Sequence, residues 1–408
     1  MKNFKEYYQA RTLVNEAKAT KANTHLTHLE ELVLTQGERG YGVARGMVAD
    51  LLSHLQGKSK RKVNTSVKWD GAPAIFAGKH PETGRFFVGT KSIFNRDPKI
   101  NYTEADVEMN HGHAPGLADK LKKALKYLPK LGIKGILQGD FMFDSSSLVP
   151  MMEDGKKHLT FKPNTIRYAV EADSELGKDI GNSVFGIVFH TGYADLQSPP
   201  QYNISVKNLK KVPGVWVDDA VFTDTTGTVT LDLDEAKQIK DMLKLADKIK
   251  VNYKGLPLEL LNIYANSEIR EGKFLEDAET SYKGFLNWFN GRKEKAIAKL
   301  KSKAGKIRST EAYNKKLAEI KAEEQNIIAV FKVSKLLAQA KQIFVNKYNN
   351  AVYNTKHFLD NGDGTLKTTA PEGYVAVSRA GDAVKLVDRL EFSRANFSDG
   401  QSSTPITK

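Results

Sequence analysis

The sequence predicts an α+β protein: a strand-rich unit with helices, split by a mainly helical insertion. Three features of the chain lead there. Short apolar runs bounded by turn residues recur between positions 63 and 233, the pattern of strands. From 234 to 350 the chain is rich in Lys, Ala, Leu and Glu, and Pro257 is its only proline, the pattern of helices. Strand-like patterning then returns at 375–378 and 383–388. At 408 residues the chain is long enough for two or three domains of roughly 150 residues. Four segments follow from these shifts: 1–60 helical, 61–233 strand-rich, 234–350 a basic helical insertion, and 351–408 the returning strands.

In the first segment Leu26, Leu29, Leu32 and Val33 repeat at helical spacing, and Val43, Met47, Leu51 and Leu52 do so after a Gly-rich break. The basic stretch at 57–62 leads into a strand at Val63–Val67. Further strands are expected at 74–78, 85–90, 134–143 and 184–190, interrupted by an amphipathic helix from Pro115 to Leu128 with Leu117, Leu121, Leu125 and Leu128 on one face. Runs at 204–207, 215–222 and 228–233 complete the set. The His-Gly-His at 111–113 reads as a loop before the Pro115 helix, because no third ligand stands near it. In the insertion, Ile327, Phe331, Leu337, Ile343 and Phe344 make an apolar stripe. The tail from Ser398 reads as frayed.

Composition narrows the function. Lys and Arg total 62 against 48 Asp and Glu, a net charge of +14. Segment 291–350 holds 15 basic and 5 acidic residues, so 15 − 5 = +10 of that excess sits there. Such a charge favours a polyanionic partner, nucleic acid first. Cysteine is absent, which excludes disulfides, Cys-ligated zinc, iron–sulfur clusters and thiol nucleophiles. The N-terminus has scattered charges and no apolar run, and no stretch of about 18 apolar residues occurs. A soluble, cytoplasmic monomer without membrane attachment is expected.

The residues with chemistry come in a fixed order. Lys68-Trp69-Asp70-Gly71 follows Val67. Lys91 stands on the next expected strand, and Asp140 lies inside an apolar strand, where an unpaired carboxylate is costly. Phe189 is followed by His190, Glu372-Gly373 enters a late strand, and Lys385 lies on the one after. Together these resemble the six motifs of the ATP-dependent polynucleotide ligases of the covalent nucleotidyltransferase superfamily, with the phage-type DNA and RNA ligases most similar. The resemblance covers 65–195 and 370–390. It implies a nucleotidyltransferase (ATP-grasp-like) domain of antiparallel sheets with helices, ATP and Mg2+ as cofactors with Mn2+ as a substitute, and Lys68 as the nucleophile that takes AMP. It implies that Val67, Asp70, Gly71, Lys91, Asp140, Phe189, Glu372 and Lys385 bind the nucleotide, with Phe189 stacked on adenine and Asp140 and Glu372 holding the metal. Three departures stand out: Asp140 where Glu is usual, His190 where Asp is usual, and no second lysine beside Lys385 unless Arg389 replaces it.

The chemistry is coherent. A lysine near its ordinary pKa of about 10.4 is protonated at neutral pH and cannot attack phosphorus. It needs burial, neighbouring cations or a metal to lose its proton. Ligases of the family often carry a C-terminal clamp domain; with about 20 residues after Lys385, no C-terminal oligonucleotide-binding barrel is expected here, and the basic insertion is expected to replace it, with Lys295, Lys299, Lys303, Lys306 and Arg308 meeting nucleic acid. The activity expected is ATP-dependent joining of 5′-phosphate and 3′-hydroxyl ends, a nicked DNA duplex first and RNA or hybrids next. Two alternatives remain open: a capping-type guanylyltransferase, and a non-catalytic nucleic-acid-binding protein.

Overall fold

The computed structural model describes residues 26–58, 63–202, 204–222, 229–275, 277–351, 355–360, 365–378 and 380–390. In chain order, helix α1 (Leu32–Leu55) precedes strands β1 (Asn64–Lys68), β2 (Ala74–Lys79) and β3 (Phe86–Gly89). Helices α2 (Glu104–His111) and α3 (Pro115–Tyr127) come next. They are followed by β4 (Ile136–Asp144), β5 (Val149–Glu153), β6 (Lys156–Phe161), β7 (Ile166–Glu171), α4 (Glu175–Gly181), β8 (Phe185–Tyr193), β9 (Gln201–Tyr202) and β10 (Val215–Asp219). Five helices then run in succession: α5 (Leu233–Lys248), α6 (Leu258–Arg270), α7 (Ala278–Ala298), α8 (Lys303–Ala322) and α9 (Glu324–Asn349). Strands β11 (Lys356–Asp360), β12 (Leu366–Thr369), β13 (Gly373–Val377) and β14 (Ala383–Leu386) close the described chain. It divides into two units, one of 1–26, 64–225 and 352–377, the other of 27–63, 226–351 and 378–408.

The first unit is built on a sheet of order β10-β8-β4-β2-β3, with β9 beside β8. Only the β10–β8 pair is parallel; the others are antiparallel. Strand alternation sends Ile75, Ala77, Phe141, Phe185, Ile187 and Phe189 to one face, where α3 covers them with Leu121, Ala124 and Ala118. Phe76, Ile136 and Tyr193 point to the opposite face, packed with Phe94 and Ile100. A second antiparallel sheet, β12-β11-β7-β6-β5, and the antiparallel pair β1–β13 belong to the same unit.

Strands β5 to β7, β11 and β12 were not foreseen, although one signal was present. Asp154 and Gly155 both take positive φ, 51° and 73°, the two-residue turn that an Asp-Gly pair favours between β5 and β6. Two expected strands are corrected. Residues 204–206 form no strand; Ile204 and Val206 instead pack irregularly on the α3 core. Residues 229–232 form no strand either, because Asp232 caps α5, accepting from the Glu235 amide while Glu235 returns to the Asp232 amide. His111 is also the buried last residue of α2 rather than part of a loop.

In the second unit α9 is the central helix. Ile327, Val330, Phe331, Leu337 and Phe344 are all fully buried, and α9 packs against α1, α5 and α7. Gly37, at φ 59°, breaks the regularity of α1, matching the Gly-rich break in its sequence. Strand β14 belongs here, where the Lys385 amide donates to the Thr27 carbonyl at 3.0 Å. No helix among the described residues is long and apolar enough to cross a membrane.

Candidate functional site

The candidate site forms where β1 ends. Antiparallel pairing sets Lys68 opposite Gly373, so Glu372, the residue before β13, falls beside Lys68. The Lys68 ammonium and the Glu372 carboxylate form an ion pair across 304 residues of sequence. Both side chains are only partly accessible, at 29% and 20%. Burial pushes the Glu372 carboxyl above the usual carboxylate range, Lys68 works against that, and the charges of Asp70 and Asp140 add to it.

After Lys68 the chain passes close over β4. A Cβ at Gly71 would stand 2.5 Å from the Asp140 Cβ and 2.9 Å from the Met142 sulfur, so only glycine fits there. This contact brings Asp140 into the neighbourhood. A bulge in the β4–β8 register between Gln138 and Gly139 leaves His190 outside the pairing. The His190 Nε2 lies 3.6 Å from an Asp140 oxygen, and its Nδ1 lies 2.8 Å from the Thr191 hydroxyl.

Asp70 has a task different from the nucleotide contact expected of it. Its two oxygens accept from the Asn164 side chain at 2.8 Å and from the Thr165 and Ile166 amides at 2.7 and 2.8 Å. Its own amide donates to the Tyr168 hydroxyl at 2.7 Å. The carboxylate is therefore spent on the turn between β6 and β7, and it fixes the loop that follows Lys68. Burial drives the Tyr168 hydroxyl well above the ordinary phenol range. The Trp69 ring sits 5.0 Å from that of Tyr168 and 6.4 Å from that of His357. Burial lowers His357 to about 4.

The remaining expected residues divide. Val67 is half-buried within β1 and donates its amide to the Ala220 carbonyl at 2.7 Å. Lys91 is not on a strand; it opens a short 3-10 turn, Lys91–Phe94, and is exposed. Phe189 is corrected: it is fully buried on the α3 side of the sheet, beneath Gly139, and offers no face to adenine. The parity of β8 decides this, since Phe189 shares its side with Phe185 and Ile187. Lys385 belongs to the second unit. Lys295, Lys299, Lys303, Lys306 and Arg308 are all exposed on α7, α8 and the link between them.

Sequence reading missed Tyr168 and Asn164, whose roles depend on the unforeseen β6–β7 turn. It also missed Asp218, which β10 holds in register with Val188 and hence with Asp140 on one sheet face. Burial pushes Asp218 up to about 6. Among the described residues no three His, Asp or Glu side chains gather to hold a metal ion by themselves.

Fold and site thus define an α+β protein with a half-buried lysine–carboxylate cluster in its strand-rich unit. The chain belongs to DUF6267, a family of unknown function, whose model matches residues 23–401. No curated protein and no solved structure matches it.

Proposed function

We propose that the strand-rich unit is an ATP-dependent nucleotidyltransferase that joins polynucleotide ends through a lysyl-AMP intermediate on Lys68. One observation carries the reading: the Lys68–Glu372 ion pair, with Asp140 near enough for its charge to act on the same carboxyl. The Glu372 carboxyl holds and orients the Lys68 side chain, and the first step uses that amine without its proton. The freed Nζ then attacks the α-phosphorus of ATP, the bond to the pyrophosphate oxygen breaks, and an N–P bond forms. A 5′-phosphate oxygen displaces Lys68 from that phosphorus. Finally a 3′-hydroxyl attacks the activated 5′-phosphate and AMP departs. Holding both ends on one template makes this last step effectively unimolecular, a gain of up to about 7–11 kcal/mol.

Asp140 and Glu372 suit a hard divalent cation, because Mg2+ is commonly held by one or two carboxylates together with substrate phosphates rather than by an all-protein cage. Such an ion would offset the negative charge of the triphosphate. The residues themselves provide Glu372 to orient the Lys68 side chain and a fixed approach for Lys68, since the Asp70 contacts pin the loop that follows it.

Intact mass spectrometry after incubation with ATP and Mg2+, with GTP in a parallel arm, tests the reading. The expected result is a mass gain of one AMP that Lys68→Ala abolishes. A gain from GTP alone would move the activity to guanylyl transfer, and no gain from either nucleotide would remove the nucleotidyltransferase reading.

A further inference from the structure

The charges of the second unit are unevenly arranged. Between positions 292 and 308 stand eight Lys or Arg and one acidic residue, Glu294. This segment is the tip of the hairpin formed by α7 and α8, antiparallel neighbours joined by a four-residue link. Their pairing is fixed by Phe289 against Tyr313 at 5.6 Å and by Lys293 Nζ donating to Asn314 at 2.7 Å. Ser302 starts α8 by accepting from the Gly305 amide.

Elsewhere in the unit several basic side chains have acidic partners: Lys316 with Glu319, Lys332 with Glu279, Lys347 with Glu235, Arg45 with Asp247. At the tip, among the described residues, no ion pair joins Lys295, Lys299, Lys303, Lys306 or Arg308 to a carboxylate, and all five are exposed. Like charges crowded on one protrusion repel one another and destabilise it unless an outside anion relieves them.

We infer that the α7–α8 tip is a docking surface for duplex nucleic acid, gripped through its phosphates without reading of base sequence. This deepens the polynucleotide reading above, yet it concerns a surface separate from the chemistry at Lys68. Three features select this partner. Binding of single strands uses exposed aromatic platforms, whereas Phe289 is buried and Trp288 is already covered by Phe285, Tyr264 and the Arg292 guanidinium, 4.8 Å from its ring. A membrane surface asks for a broad apolar face beneath the basic one, and the large apolar side chains exposed at the tip are Leu300 and Ile307. Base reading relies on bidentate Arg, Asn or Gln, whereas the tip carries mainly flexible lysines, which act as point charges.

The test is fluorescence anisotropy of the full chain with two DNA duplexes of unrelated sequence, over a salt series, beside phosphatidylserine vesicles. Neutralising about five phosphates gives a log–log salt slope near −4.5, a loss of about 500-fold in affinity for a four-fold rise in salt. The two duplexes should bind alike. Lys295→Gln combined with Lys299→Gln, Lys303→Gln, Lys306→Gln and Arg308→Gln should weaken binding by about 100-fold or more and flatten the slope. Lys68→Ala should bind as the wild type does, so loss of AMP transfer and loss of docking are told apart. Unchanged affinity in the five-fold variant would overturn the inference. So would strong preference for one sequence, or capture by vesicles without capture by duplex.

Discussion

The two units treat charge in opposite ways. In the strand-rich unit, Lys68, Asp70, Asp140 and Glu372 are drawn together in partial burial, and each of the three carboxylates has a donor or a charge acting on it. The helical unit does both extremes. It exposes an uncompensated basic tip, and it seals Lys341 against Glu30 at 2.8 Å, with side chains 5% and 1% accessible. Arg389 joins that buried group, 2.7 Å from Glu31. The difference teaches that charge count says little about role. A buried pair is costly to break, an exposed cluster costs little to remove, and a half-buried cluster is where chemistry can be tuned.

Breaking the buried pair should have the largest effect. Lys341→Met leaves Glu30 enclosed with Arg389 3.8 Å away, and urea unfolding should show a loss of about 3–5 kcal/mol. Adding Glu30→Gln to the same chain should restore much of it, because no lone buried charge then remains.

The next effect depends on pH. His357 has a folded value of about 4, below the unfolded value of about 6.5, so the fold favours its neutral form. Its contribution is complete above pH 6.5 and is lost progressively as the pH falls toward 4, about 3 kcal/mol in total. His357→Gln should flatten that part of the stability profile, measured as the difference between wild type and variant across pH 4–7. A difference that stays constant with pH would show that burial of His357 does not set its protonation.

The smallest effect falls on the loop beside Lys68. Asp70→Ala removes both acceptor oxygens from the Thr165 and Ile166 N–H groups and the Asn164 side chain, costing about 2 kcal/mol in thermal unfolding. A stability unchanged by this substitution would mean that the turn between β6 and β7 holds without the carboxylate.

Much of the site was legible because its residues carry local signals. Lys68 ends a short strand, Gly71 follows an Asp in a loop, and Glu372-Gly373 opens another strand. Phe189 misled because a buried strand with apolar residues on both faces gives no hint of which face meets a ligand. Lys91 was placed on a strand because the local propensity continues past Gly89, where the chain in fact turns. The β5–β7 strands escaped notice because β5 exposes Val149 and Met152 while β6 buries His158 and Thr160, which blurs the alternation.

By itself, the sequence determined the α+β character, the helical stretch from Leu233 to Asn349, and the concentration of basic residues near position 300, all of which follow from composition and short-range periodicity. Only the tertiary structure decided that Lys68 touches Glu372, that Asp70 serves a turn, and that α9 is a core helix while the hairpin tip stands bare. Those outcomes depend on strand register and on which helix face is covered. Both are settled by contacts between residues from about 95 to 304 positions apart, which no local pattern encodes.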